Sequence, residues 1–354
     1  MNRPHVSLYI PCFNEQAFLP QFLDSLSNQR YTNFSATFFE NSSTDESRRI
    51  ISDYQKLDPR IGIVQFEYHV PRTVQAMRIR SAPRKGPLIG MRSVNDIIHV
   101  DFLEETVRLL EEDPTVGLAY SHGRLLDLHS GVLTEADSVS KIDTRRMNLE
   151  DSVFNVVSRY TQSFSLWGLF RSDVFDKLSF QYCYGADHVL VCEASLYGHI
   201  ASTDNALVTM TMTSTESTLD SIARMWETHH PVADRGIKRD SVFMSPDILL
   251  PFTSMINGHL RMIAGAMISD TQKLKLQRIA FQTLRARFKS LLDFEHRGFI
   301  EKFMNISPKN FVSGNLAWGS NFLECIYWIR VVSPELRSYC DSLIKSCIDL
   351  DLIQ

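Results

Sequence analysis

Two apolar runs that each end in a polar cluster, separated by one amphipathic stretch, constrain this chain more than any other feature. Val6-Ser7-Leu8-Tyr9-Ile10 runs into Pro11-Cys12-Phe13-Asn14-Glu15, and Phe38-Phe39 runs into Glu40-Asn41-Ser42-Ser43-Thr44-Asp45. The pattern predicts strand, helix, strand, with a capping box at Ser43-x-x-Glu46 opening the next helix. In open parallel sheets ligands gather at the carboxyl ends of strands, so Pro11 to Glu15 and Glu40 to Asp45 are predicted to face one crevice. Further apolar runs near 61–66, 88–91 and 116–120 alternate with helical periods at 16–28, 45–57 and 101–112. That alternation predicts an α/β fold with a mostly parallel sheet flanked by helices.

Composition narrows the function classes. The 354 residues are 44% hydrophobic and 22% charged, enough for one large or two modest domains with a real core. A net charge of -4 argues against a generic nucleic-acid binder, which needs a cationic excess. No uncharged apolar run reaches spanning length and the N-terminus runs straight into the first strand, so a cytoplasmic location is expected, with peripheral membrane contact as a variant of it. Six cysteines lack metal-type spacing, which predicts reduced thiols and no zinc.

The two strand ends resemble the opening of family 2 nucleotide-sugar glycosyltransferases of the GT-A fold, whose first strand ends in Pro-x-x-Asn-Glu and whose second ends in Asp-Asp-Gly-Ser-Thr-Asp. The helix and strand over 100–121 also resemble the family, as do Phe170 to Phe175 and Tyr184-Gly185-Ala186-Asp187. The resemblance covers roughly residues 5 to 218. It implies a nucleotide-sugar-binding half over 1–126, an acceptor-binding half over 127–218 and, beyond it, a C-terminal helical region over 219–354. It also implies donor contacts from Pro11, Asn14, Glu15 and Ser42, with Glu40 standing where the family's base-reading aspartate lies.

The departures from the family are as informative. Its Asp-x-Asp motif, which holds a divalent cation on the donor, corresponds here to Ser93 and Asn95. Neutral side chains are poor ligands for Mg²⁺ or Mn²⁺. A late family histidine falls near Thr213, so no tightly bound cofactor or metal is expected. A frame shifted by one residue would leave only a weak Mg²⁺ or Mn²⁺ site through Asp96. Between Arg72 and Asn95 the chain has six Arg and Lys and no Asp or Glu. Guanidinium groups pair with phosphate oxygens at about 1.5–3 kcal/mol per charged hydrogen bond, and Arg78, Arg80 and Arg92 lie closest to the donor crevice in this frame. An exposed basic loop without a ligand is the plainer alternative.

The resemblance assigns the catalytic base to Asp187, at the start of a helical run from His188 to Tyr197; read without it, Asp187 is a helix-start residue. His188 and Trp167 are the acceptor-side candidates. The expected function is therefore inverting transfer of a sugar from a nucleotide-diphosphate donor to a hydroxyl acceptor, a glycan, a lipid-linked glycan or another, in surface-glycan or glycoconjugate assembly. A non-catalytic glycosyltransferase-like binding or scaffold subunit is the alternative. Past residue 219 the pattern is helical, with a long amphipathic stretch from Leu274 to Leu292 and aromatics at Trp318, Phe322, Tyr327 and Trp328. Packing of its apolar face inside the protein is the preferred reading, and membrane contact or a homodimer through these helices is the other.

Overall fold

The computed structural model describes residues 3–70, 72–212, 219–220, 249–304 and 316–349. The chain falls into two compact units, Met1–Phe180 with Leu190–Ser214, and Gln181–Val189 with Thr215–Gln354.

The first unit alternates strand and helix, with α3 and β5 added to the elements that the apolar periods predict: β1 Val6–Cys12, α1 Leu19–Ser27, β2 Phe34–Glu40, α2 Ser47–Leu57, β3 Ile61–Gln65, α3 Arg72–Arg80, β4 Leu88–Met91, β5 Ile97–Ile98, α4 Phe102–Glu112 and β6 Val116–Tyr120. It continues with β7 Gly123–Asp127, β8 Leu133–Glu135, α5 Leu149–Arg159, β9 Leu169–Arg171, α6 Ser172–Phe175, α7 Ala186–Ala194, whose first turn groups with the second unit, β10 His199–Ser202 and β11 Val208–Met212. Seven strands form the main sheet in the order β10-β6-β9-β4-β1-β2-β3. Its pairs are parallel except where β9 lies antiparallel between β4 and β6. A second sheet has the order β5-β11-β7-β8.

The core explains these choices. Val6, Leu8 and Ile10 alternate on one face of β1 and are fully buried, as are Leu19, Phe22, Leu23 and Leu26 along α1. Two buried polar side chains complete ends that apolar packing leaves open. Gln29 accepts the Leu103 N–H at 3.0 Å near the start of α4 and donates to the His99 carbonyl at 2.8 Å. Arg171 donates to the carbonyls of Val116 and Asp113, which ties β9 to the far end of α4. Gly86, just before β4, lies where an added Cβ would sit 2.4 Å from the His5 carbonyl oxygen, so that close approach of backbones sets β4 against the start of β1.

The polar connection that follows β7 is partly ordered. β7 and β8 form an antiparallel pair, with Asp127 accepting amides of the turn that joins them.

The second unit is helical: α8 Pro251–Gly265, α9 Asp270–Arg287, α10 Lys289–Met304, α11 Leu316–Val332 and α12 Arg337–Asp349. The amphipathic stretch from Leu274 to Leu292 is two helices, broken at Phe288, and it buries Leu276, Ala280, Leu284 and Leu292 while Leu274 stays exposed. Trp328 is half-buried and Tyr327 exposed; the side chains of Trp318 and Phe322 lie outside the described residues. A capping box opens α9, with Ser269 and Gln272 as reciprocal partners. The start of α8 is held by another helix. Glu295 of α10, fully buried, accepts the N–H of Phe252 at 2.7 Å, the N–H of Thr253 at 3.1 Å and the Thr253 hydroxyl at 2.6 Å. Burial pushes Glu295 up to about 7, against those hydrogen bonds, which favour its charged form. Among the described residues no helix is long and apolar enough to cross a membrane.

Candidate active site

The parallel register pairs Cys12 with Glu40, so the chain leaves β1 and β2 at the same level. The two exits are then stitched together. Asn14, held at a φ of 55°, donates its N–H to Ser43 Oγ at 3.0 Å and accepts the Thr44 N–H on its side-chain oxygen at 2.8 Å. The Glu15 N–H reaches Ser47 Oγ at 2.7 Å, and the Gln16 N–H reaches Asp45 Oδ2 at 3.0 Å. Burial works against the Asp45 charge, yet hydrogen bonds from Ser47 and Gln16 hold its carboxyl below the usual range. The predicted capping box at Ser43 and Glu46 does not form. Ser43 Oγ is taken by Asn14, Glu46 pairs with Arg49, and Asp45 accepts the Ser47 N–H at 2.9 Å instead.

Glu40 sits in this brace and not at an open surface. It is 1% exposed and accepts the Ser43 N–H at 2.6 Å. Ser42 beside it takes a φ of 60°, and Pro11 and Ser42 are both half-buried at the strand ends. Asn41 clamps the next segment: its side chain donates to the Val70 carbonyl and accepts the Val70 N–H, each at 2.9 Å. The rings of Phe13 and His69 meet at 4.3 Å between centroids.

Next to this rim lies a cavity of about 480 Å³ lined by Tyr9, Phe39, Val64, Phe66, Val74 and Arg78, among others. Its walls are mainly apolar, with the exposed guanidinium of Arg78 and the exposed carboxylate of Glu67 as the charged groups of its lining, a size and character common to sites for small ligands. Arg80 projects elsewhere: it lies over the Phe180 ring, while Arg84 pairs with Asp176 at 2.5 Å.

The strand-end motif corrects part of the reading from sequence. Arg92 is fully buried, donates to the Trp167 carbonyl and lies 4.6 Å over the Phe102 ring. Its Nε and Nη2 have no hydrogen-bond partner among the described residues, and burial lowers it to about 10, with Asp96 pulling the other way. It therefore stands in the core and not in the crevice. Asp96 is also buried, and burial pushes it up to about 6 against the opposing effect of Arg92 and the Thr211 amide. Ser93 Oγ is hydrogen-bonded to Asn95 Oδ1, so each neutral side chain satisfies the other. A hard divalent cation takes carboxylate and carbonyl oxygens in an open shell, and two mutually bonded neutral groups beside a buried Arg-facing carboxyl do not fit it. Among the described residues no group of three His, Cys, Asp or Glu is placed to hold a metal. Thr213 lies outside the described residues.

Of the acceptor-side candidates, Trp167 is half-buried in the first unit. Asp187 is half-buried in the first turn of α7, directly after Gly185 at a φ of 64°. His188 is not open to an acceptor. It is 4% exposed, and its Nδ1 is 2.8 Å from Nε2 of His259. His259 Nδ1 faces the Met255 carbonyl at 2.8 Å, which can only accept, so Nδ1 carries the proton and Nε2 accepts from His188. Burial lowers His259 to about 4 from 6.5, with the Met255 carbonyl and Asp187 opposing.

Two outcomes follow from this geometry. Asn41→Ala leaves the Val70 amide and carbonyl without their partner, so urea unfolding should show a loss of about 1–3 kcal/mol and faster hydrogen exchange at Val70. His259 is neutral in the folded chain but protonates near 6.5 once unfolded, so the stability it carries is complete above that pH and is lost as pH falls toward about 4. His259→Gln should flatten the stability profile in that window by up to about 1.4 kcal/mol per pH unit in urea titrations.

Residues 7–125 match the family described as Glycosyl transferase family 2. An uncharacterised glycosyltransferase of Haemophilus influenzae is 23% identical over 212 residues, 58% of this chain and 65% of that protein. A putative glycosyltransferase, EpsH, of Bacillus subtilis is 29% identical over 108 residues, 30% of this chain and 31% of its own. The chain thus spans less than two thirds of the length of these curated relatives. The structure of S. aureus TarS residues 1–349 with UDP-GlcNAc superposes with a TM-score of 0.60 at 16% identity, covering 96% of this chain and 87% of that one. That likeness shows the shared GT-A fold with its C-terminal helical part. Over residues 7–125 the chain is thus similar to glycosyl transferase family 2.

Proposed function

We propose that the protein is an inverting glycosyltransferase that takes a nucleotide-diphosphate sugar at the β1 and β2 exits and works without a tightly held metal. One coincidence carries the reading: the residues that match the family, 7–125, are the ones that build the braced strand ends and the neighbouring cavity. The nucleoside occupies the cavity, whose mainly apolar walls suit a base, and Arg78 pairs with the diphosphate. The TarS structure carries UDP-GlcNAc, which makes uridine diphosphate sugars the first donors to try. The E. coli relative named chondroitin synthase, 22% identical over 131 residues, supports a polysaccharide or glycoconjugate hydroxyl as acceptor.

In this reaction the acceptor oxygen attacks the anomeric carbon as the bond to the diphosphate breaks. The nucleoside diphosphate leaves with the electron pair, and Asp187 takes the hydroxyl proton, an effect of roughly 10²–10⁴ in rate. Charge growing on the leaving diphosphate is offset by Arg78 in place of a cation. A binding subunit without turnover is the second reading, favoured by the mutual Ser93 and Asn95 hydrogen bond at the metal position.

Asp187→Asn separates the two. Release of nucleoside diphosphate from a panel of nucleotide sugars should fall by about 10²-fold or more in the variant while donor affinity stays unchanged. Equal turnover by variant and parent would refute Asp187 as the base, and no release by either would favour the binding subunit.

A further inference from the structure

We infer that His259 is a positioning residue for the segment that carries Asp187, and that α8 thereby sets where this carboxylate is held. The inference rests on Asp187 as the proposed base.

Segment Gln181–Val189 groups with the helical unit and not with the first unit, to which the residues before and after it belong. Its contacts fall along α8. The Tyr184 N–H donates to Ser254 Oγ at 3.3 Å, and the Tyr184 and Phe252 rings lie 5.5 Å apart. Gly185 has the left-handed backbone that glycine tolerates, and a Cβ there would stand 2.8 Å from Met255 Sδ. One turn further along α8, a Cβ on Gly258 would stand 2.6 Å from Cys183 Sγ and 3.2 Å from Val189 Cγ2, so the segment lies flush on the helix. Asp187 is thus bracketed by Gly185, seated on Met255, and by His188, bonded to His259.

The histidine pair does what apolar packing does not. The Met255 carbonyl fixes the tautomer of His259, which turns its Nε2 lone pair toward His188 and makes the link directional. Two neutral buried imidazoles carry a desolvation cost that two apolar side chains would avoid. In return they fix one register of the first turn of α7 on α8, and a base displaced by about 1 Å can lose 10²-fold in rate. The start of α8 is anchored in turn by the buried Glu295 carboxylate.

The test compares His259→Leu with His259→Gln in the full chain. Glutamine places an oxygen where Nε2 stands and accepts from His188; leucine cannot. In His259→Leu, amide hydrogen exchange over 181–189 should rise about tenfold while β1 to β4 are unchanged. Release of nucleoside diphosphate should lose roughly 10–100-fold in kcat with KM for the nucleotide sugar within about twofold of the parent. His259→Gln should restore most of both. Unchanged exchange over 181–189 in His259→Leu, or equal damage by glutamine and leucine, would overturn the inference. If His259→Leu does not fold, Ser254→Ala, which removes the Tyr184 acceptor, should still raise exchange over the same segment, and unchanged exchange there would overturn it equally. Asp187→Asn measured in parallel keeps the two ideas apart: full turnover in that variant defeats the base assignment, while the exchange data still decide whether His259 holds the segment.

Discussion

The parallel pairing of β1 with β2 is the constraint on which the rest of this site depends. Cys12 opposite Glu40 brings both strands to their ends together, and the segments that follow must run side by side. Backbone amides leaving a sheet need new acceptors, and here the polar clusters provide them for each other: Asn14, Ser43, Asp45 and Ser47 satisfy both exits. Several residues that look like ligand contacts in the sequence are therefore spent on shape. Glu40 and Asn14 are the clearest cases, the first closing the β2 exit and the second bridging the two exits through Ser43 and Thr44.

Charge is the second theme. A diphosphate leaving group needs positive charge or hydrogen-bond donors at its oxygens. After β4 this chain has a bonded neutral pair, Ser93 and Asn95, and beside it a buried arginine and a buried carboxyl whose ionisations are shifted toward neutrality. Burying unlike charges without direct pairing is costly, and the Phe102 face and the Trp167 carbonyl offset only part of that for Arg92. Arg78 differs in kind, being exposed and on the cavity wall.

Much of the fold was legible because it depends on local periodicity. The alternation of apolar runs and helical patterns located every parallel strand from β1 to β6 and the helices α1, α2 and α4, though not α3, whose basic residues read as a loop, and Asp187 does open a helix. What failed to read depends on tertiary partners. Ser43 has the spacing of a capping box but Asn14, a distant residue, takes its hydroxyl. Arg92 belongs to a run of basic residues that looks solvated, yet a backbone carbonyl from β9's approach and an aromatic face on α4 draw it inward. His188 reads in the sequence as an acceptor-side candidate, and only the fold of the helical unit brings His259 to it. The Glu295 cap on α8 carries no sequence signal at all, because its partners lie more than 40 residues away on another helix.

The central claim is that the braced strand ends and the adjoining cavity bind a nucleotide without a carboxylate-held cation. Isothermal calorimetry with UDP, GDP, dTDP, ADP and CMP, each in Mn²⁺ and in EDTA, tests it directly. One nucleotide should bind equally in both conditions and lose affinity in Arg78→Ala. Binding that requires Mn²⁺ would contradict the claim, and binding of none of the five would contradict the donor site itself.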